Sequence, residues 1–318
     1  MKHALDFYLN TFQKIFSETA NKYEAHMKSR VFLYRMAQED EVIFEVFRRN
    51  LVKPGFFKQP SYSPDFLISL IDRPECSMSM SFFGPLPNHR TDYTYSTLHH
   101  HDDFILSSIS VKGLGYTSLI YKQGYEIEKE SGEVKLELEK YCAHHPLNIE
   151  FIDKHTAHTI FYPSDISMTY ALWSSYKPTS TINAWKKSAP IQKNKDFIKK
   201  LMKSISPDLK TIGITQYRED YFYPVEGKTV LLPGQIEIPL GFHFAQNVFH
   251  KLQYVKFDDR KFLEALLDSL TLEDRLLAEP WILEFLDGKS IPANYDGYAM
   301  LTPKRNVQID EFRKCYSF

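Results

Sequence analysis

Three consecutive histidines, His99, His100 and His101, stand where the chain's imidazoles concentrate, because eight of its twelve histidines fall between residues 89 and 158. Neutral imidazole holds divalent transition metals and also moves protons near pH 7. Residues 93 to 101 alternate as a strand does, and a two-residue period points His99 and His101 to one face and His100 to the other. Two imidazoles on one strand face can share an ion, whose third ligand must come from a neighbouring strand. His158, which opens a β-rich run at 159 to 162, can supply it. His155 lies three residues earlier, in the turn before that run, and reads as an outer or surface residue. A solvated turn is the competing reading of the triple histidine.

The elements that would position these residues are given by the periodicity. Leu5, Tyr8, Leu9, Phe12 and Phe16, then Val31, Phe32, Met36, Val42, Ile43 and Phe47, recur at spacings of three and four, which predicts two amphipathic helices over residues 4 to 50. Pro54, Gly55, Pro60 and Pro64 mark a connection. Cys76, Met78, Met80 and Phe82 then alternate with Ser77, Ser79 and Ser81, the pattern of a strand with one buried face. Further β-rich runs at 93–101, 104–112, 116–122, 134–141, 149–153, 159–162 and 167–174 bring the number to about eight. Such a series, punctuated by Gly113, Gly115, Gly124, Gly132, Pro146 and Pro163, predicts a sandwich or barrel. Beyond Pro178 the pattern predicts a Lys-rich helical segment near 194 to 205 and a long helical region from 244 to 287. Within that region Thr271 and Asp274 form a start like a capping box, and Gly288 forms a stop.

Residues Leu98 to Tyr121, LHHHDDFILSSISVKGLGYTSLIY, resemble the first cupin motif, an HxH pair followed by a strand and a glycine turn. Residues 149 to 173, IEFIDKHTAHTIFYPSDISMTYALW, resemble the second. The resemblance implies an α+β chain: a cupin-type antiparallel β-barrel (double-stranded β-helix) over 61–180, N-terminal helices over 1–60 packed on it, and a mixed, mainly helical region over 181–318. It also implies a metal held by His99, His101 and His158. Cupins often add a glutamate four to five residues beyond the HxH pair, where this chain has Ile105 and Leu106. A site of three histidines is similar to that of the thiol dioxygenases, cysteine dioxygenase among them. That likeness implies Fe(II), or another divalent transition metal, acting with dioxygen on a small thiol or amino-acid-like substrate. A substrate carboxylate would need a cation. Arg73, 26 residues before His99, and Arg90, nine before it, are the candidates, with Tyr121 as a further substrate-binding residue. Where the thiol dioxygenases carry a His-x-Tyr pair, this chain reads Leu172, Trp173, Ser174.

Other readings compete. His100 and Asp102 form an HxD pair that, with His158, imitates the facial triad of 2-oxoglutarate oxygenases. Residues 159 to 176 contain neither Lys nor Arg to hold the cosubstrate carboxylate. Gly234 to Asn247, GQIEIPLGFHFAQN, echoes a cupin motif without an HxH pair, as a chance match or a decayed repeat. A non-catalytic cupin that binds a metal or ligand as a sensor is the alternative from another class. No GxSxG, HExxH, P-loop or GxGxxG supports hydrolase, zincin or nucleotide chemistry.

Composition bounds the rest. With 39 Lys and Arg against 40 Asp and Glu, the net charge of -1 provides no field for nucleic acid or an anionic membrane, and neither partner is expected. The 43% hydrophobic and 15% aromatic shares suffice for a large core. Cys76, Cys142 and Cys315 are too few and too widely spaced for a disulfide framework or a metal knuckle. Reduced thiols, no signal-like leader and no long apolar run make a cytoplasmic location the expectation.

Overall fold

Alternating residues build two antiparallel sheets that face each other, and helices cover the back of one of them. The computed structural model describes residues 4–58, 66–86, 89–94, 98–101, 103–124, 136–175, 220–225, 228–232, 241–294 and 308–315. In chain order the strands are β1 (Phe66–Asp72), β2 (Ser77–Phe83), β3 (Leu98–His100), β4 (Phe104–Lys112), β5 (Tyr116–Tyr121) and β6 (Leu138–His144). They continue with β7 (Ile149–Ile152), β8 (His158–Ile160), β9 (Ser167–Ser175), β10 (Asp220–Val225) and β11 (Lys228–Leu232).

The first sheet runs β1-β2-β9-β4-β7 and the second β11-β10-β3-β8-β5-β6. The pairs β2 with β9, β3 with β8, β4 with β7 and β5 with β6 are nested, as if one long hairpin had been rolled up. This is the jelly-roll topology. Its eight strands, β2 to β9, correspond to the eight runs read from the sequence. No ladder joins one sheet to the other among the described residues, so the barrel is not closed. β1, β10 and β11 lengthen the sheets at their edges.

Both faces of the first sheet are covered, which the simple alternation of β2 does not reveal. Met78, Met80 and Phe82, with Ile109, Val111, Met168, Tyr170 and Leu172, join the helices in one hydrophobic core. Ser77, Ser79 and Ser81 lie on the other face, toward the second sheet. Across that interior, Leu106, Ile152 and Ala171 meet Ile120 and Cys142 from the opposite wall. Lys140 and Glu150, 2.9 Å apart, link the edge strands β6 and β7. Cys76 and Cys142 are buried free thiols.

Seven α-helices among the described residues make the fold α+β. The two helices expected near the N-terminus are three: α1 (Ala4–Glu18), α2 (Lys22–Ala37) and α3 (Asp40–Leu51). Asn21 makes the first break by capping α2, accepting from the amides of Tyr23 and Glu24. The long helical region is likewise three: α4 (Gly241–Tyr254), α5 (Arg260–Ser269) and α6 (Leu272–Leu286). Thr271 caps α6 by accepting from the Asp274 amide at 3.2 Å, and Gly288, at φ +71°, ends it. A short helix, α7 (Ile309–Cys315), comes last, with Phe312 against Phe161. Gly241–Tyr254 is helical because Phe244, Ala245, Val248, Phe249 and Leu252 are buried at helical spacing. Residues 241 to 247 of the Gly234 to Asn247 echo are therefore helical, and residues 234 to 240 lie outside the described residues. The segment expected near 194 to 205 lies outside the described residues. None of the described helices is long and apolar enough to cross a membrane.

Elements beyond residue 180 join those before it. β10 pairs with β3, and the Arg48 guanidinium on α3 reaches Asp259 at 2.8 Å. α4 also grips Lys289–Asn294 by an amide ladder. Gln246 and Asn247 donate to the carbonyls of Pro292 and Asn294, His250 donates to that of Ile291, and Gln253 accepts from the Ile291 amide. α2 is fastened to the first sheet by His26, whose ring nitrogens lie 2.8 Å from Ser107 Oγ and 3.0 Å from Ser174 Oγ.

This packing sets a cost for one added methyl group and a dependence on pH. At Gly115, φ is +80° and an added Cβ would lie 1.8 Å from the His144 carbonyl oxygen. Gly115→Ala should therefore cost about 3 kcal/mol or more, read as a lowered urea midpoint. Burial lowers the pKa of His26 to about 3, and of His144 and His250 to about 4. These rings stay neutral in the fold while the unfolded chain binds protons below its ordinary pKa of 6.5. Stability is thus full above that pH and falls as the pH drops toward 4, by about 1.4 kcal/mol per unit per histidine. His26→Asn should flatten the pH dependence of the urea midpoint between pH 6.5 and 5.

Candidate metal centre

His158 begins β8, and its backbone stands directly opposite that of His99 on β3. Opposed residues of an antiparallel pair lie on the same sheet face. The side chain of His99 lies outside the described residues. Ile120, the partner of His158 on β5, belongs to the cluster between the sheets, so this face is the barrel interior. His101 follows the last residue of β3 and starts the bend to β4, where its carbonyl accepts from the Phe104 amide at 2.8 Å. Its ring meets that of His158 edge to face, with centroids 4.6 Å apart. His100, on the other face by alternation, lies 5.9 Å from the His155 ring.

The bond made by His158 fixes which nitrogen carries the proton. Its Nδ1 is 2.9 Å from the Thr156 carbonyl oxygen, which can only accept, so Nδ1 carries the proton and Nε2 keeps its lone pair. A ring with 1% exposure, one nitrogen tied to a backbone carbonyl and the other basic, is chemically fitted to ligate a cation. The turn that presents Thr156 is itself restrained. The Gln123 amide donates to the Lys154 carbonyl and to Thr156 Oγ1, both at 2.9 Å, and Tyr23 on α2 donates to Asp153 at 2.7 Å. His155 sits in that turn at φ +53°, with its Nε2 3.3 Å from Asp103.

Trp173 supplies the opposite wall, its ring edge-on to His101 with centroids 4.5 Å apart. In sequence this residue stands out only as a departure from the dioxygenase His-x-Tyr pair. In the fold, β9 carries it to the end of the interior where it pairs with Ser77 and Leu106. Deeper in, Ser79 Oγ is buried without a hydrogen-bond partner among the described residues, and Ser110 approaches Ser167 at 3.4 Å. Toward the far end Tyr116 stacks on His144 at 4.2 Å, and His144 Nε2 lies 2.7 Å from Ser118 Oγ. The interior is thus largely neutral and rich in hydroxyls.

The structure brings together His101 and His158 and sets His99 across the ladder from His158. The three candidate substrate-binding residues are placed differently. Arg73 is exposed in the turn from β1 to β2, its amide donating to the Cys76 carbonyl. The Arg90 guanidinium is engaged by Asp92 and lies 4.2 Å over the Tyr93 ring. Tyr121 is fully buried, but it follows Ile120 in the strand, so alternation turns it to the face away from His158. Asp102, the carboxylate of the HxD reading, lies outside the described residues. No group of three or more His, Cys, Asp or Glu suited to a metal is found among the described residues, a set that omits the His99 side chain.

No family model matches the chain, and no curated protein matches it. Solved structures with partial likeness include the DMSP lyase DddQ of Ruegeria pomeroyi DSS-3, at 11% identity over 35% of this chain and 47% of that one, with a TM-score of 0.24. The cupin domain of Schizosaccharomyces pombe Cnp3 matches at 7% identity over 35% and 64%, and KdgF of Halomonas sp. at 15% over 36% and 83%, both with TM-scores of 0.24. The chain spans 47% of each of the two DMSP lyase structures that it matches. Likeness this partial assigns no activity to the chain.

The tautomer is directly testable. In metal-free protein the ¹⁵N shifts of His158 should report a protonated Nδ1 and an unprotonated Nε2, and the reverse assignment would remove the basis for calling it a ligand.

Proposed function

We propose that this chain is a metal-dependent enzyme of cupin type, with a divalent transition ion held by His99, His101 and His158. The observation that carries the reading is His158 itself, buried between the sheets with its Nδ1 committed to Thr156, its ring against His101 and its backbone opposite His99. Three neutral imidazoles leave the full charge of a divalent ion uncompensated, which favours an anionic substrate group in an open position. Bound there, Fe(II) would supply the redox chemistry of a dioxygenase, and a small thiol or amino-acid-like molecule is the substrate class we assign.

The chain's own residues have defined parts in this scheme. Thr156 keeps the Nδ1 proton on His158, and the Gln123 and Tyr23 contacts keep the turn from swinging the ring away. Trp173 shields one side of His101 from water. The hydroxyls of Ser77, Ser79 and Ser108 are the nearby groups from β2 and β4 that would orient a bound molecule by hydrogen bonding rather than by an ion pair. Leu106, Ile120 and Ile152 make the apolar belt behind it.

Metal analysis of the purified chain, followed by oxygen uptake with small thiols, tests the proposal. Stoichiometric metal is expected, reduced at least tenfold in His101→Ala and in His158→Ala, with oxygen consumption that requires both iron and thiol. Metal bound without turnover would point instead to a sensor or binding protein. Occupancy unchanged in both variants would defeat the site.

A further inference from the structure

Two helices carry apolar stripes that no described residue covers. On α2, Met27, Val31 and Tyr34 recur at steps of four and three and are 63%, 47% and 41% exposed, while the opposite side of the helix packs on α1, β4 and β9. On α6, Leu272, Leu276 and Leu283 fall on one narrow face and are 75%, 68% and 48% exposed, while the buried side packs on α4 and α5. Apolar rows this exposed on a protein surface mark an interaction site. The charge around them differs in sign. Beside its row α2 carries Lys28, Arg30 and Arg35 against Glu24, whereas α6 carries Glu273, Glu279 and Glu284 against Arg275 and the Lys58 that pairs with Glu273. Each helix therefore offers what the other lacks, a leucine-rich row bordered by acids and an aliphatic and aromatic row bordered by bases.

We propose that α2 of one copy of this chain docks on α6 of another, and that the protein self-associates through this contact. The spacing fits, since rows at steps of three and four are those that interdigitate when helices pack side by side. A single helix pair buries less than the roughly 800 Å² per partner of a stable interface. Every copy carries both faces, however, so a two-fold pair makes the contact twice.

The test is complementation. Sedimentation velocity of the full chain, from low to high micromolar, should show association that weakens as salt is raised. Val31→Glu, which spoils only the α2 row, and Leu276→Lys, which spoils only the α6 row, should each be monomeric, with far-UV circular dichroism unchanged. Mixed together, the two variants should form a one-to-one complex, because one of the two contacts is intact and the other sets the introduced carboxylate against the introduced ammonium. That result also certifies that both variants are folded. A monomeric wild type, association that survives in either variant, or a mixture that stays monomeric would overturn the proposal.

Discussion

A sheet buried on both faces is the constraint on which the rest of this structure depends. In β2, β4 and β9 neither side-chain row reaches bulk water freely, so alternation separates two interiors rather than inside from outside. The bulky row of Met78, Met80, Phe82, Tyr170 and Leu172 requires an apolar cover, which six helices from both ends of the chain provide. The small polar row then lines the space between the sheets. Burying so many hydroxyls stabilises nothing by itself, because each lost its water and must find a partner. Its value is a polar chamber inside an otherwise hydrophobic protein.

Helix α2 connects the two interiors. On its inner side His26 bridges Ser107 and Ser174, which flank Leu106 and Trp173 on the chamber wall. From its first turn Tyr23 holds Asp153 in the turn that leads to His158. Both the wall against His101 and the ladder carrying His158 are thereby referenced to one rigid element. A displacement of α2 would reach both histidines together, although neither is near it in sequence.

Local periodicity made much of this legible. The eight strand runs map onto β2 to β9 because turn residues punctuate them. The position of Trp173 against His101 was not legible, since it depends on the pairing of β9 with β2 and β4, which is a long-range property. The direction of the serine row was equally hidden, because a strand covered on both sides looks, in sequence, like a strand with one face in water. Tyr121 shows the same limit in reverse. It lies inside the motif, but its parity within β5 puts it behind the wall. The N-terminal helix count was short by one because the apolar spacing from Val31 to Phe47 continues across Gln38 and Glu39, where α2 ends and α3 begins.

The grip of α4 on residues 289 to 294 works through their backbone carbonyls and amides almost alone. Such a clamp reads the path of the chain and ignores its letters. Apart from Ile291, which is buried in the core, and Asn294, whose side-chain amide donates to Gln246, the grip does not depend on the segment's side chains, while Gln246, Asn247, His250 and Gln253 are individually constrained in length and hydrogen-bonding type. The stretch is thereby held at two levels, its path by the side chains of α4 and its depth by Ile291 in the core.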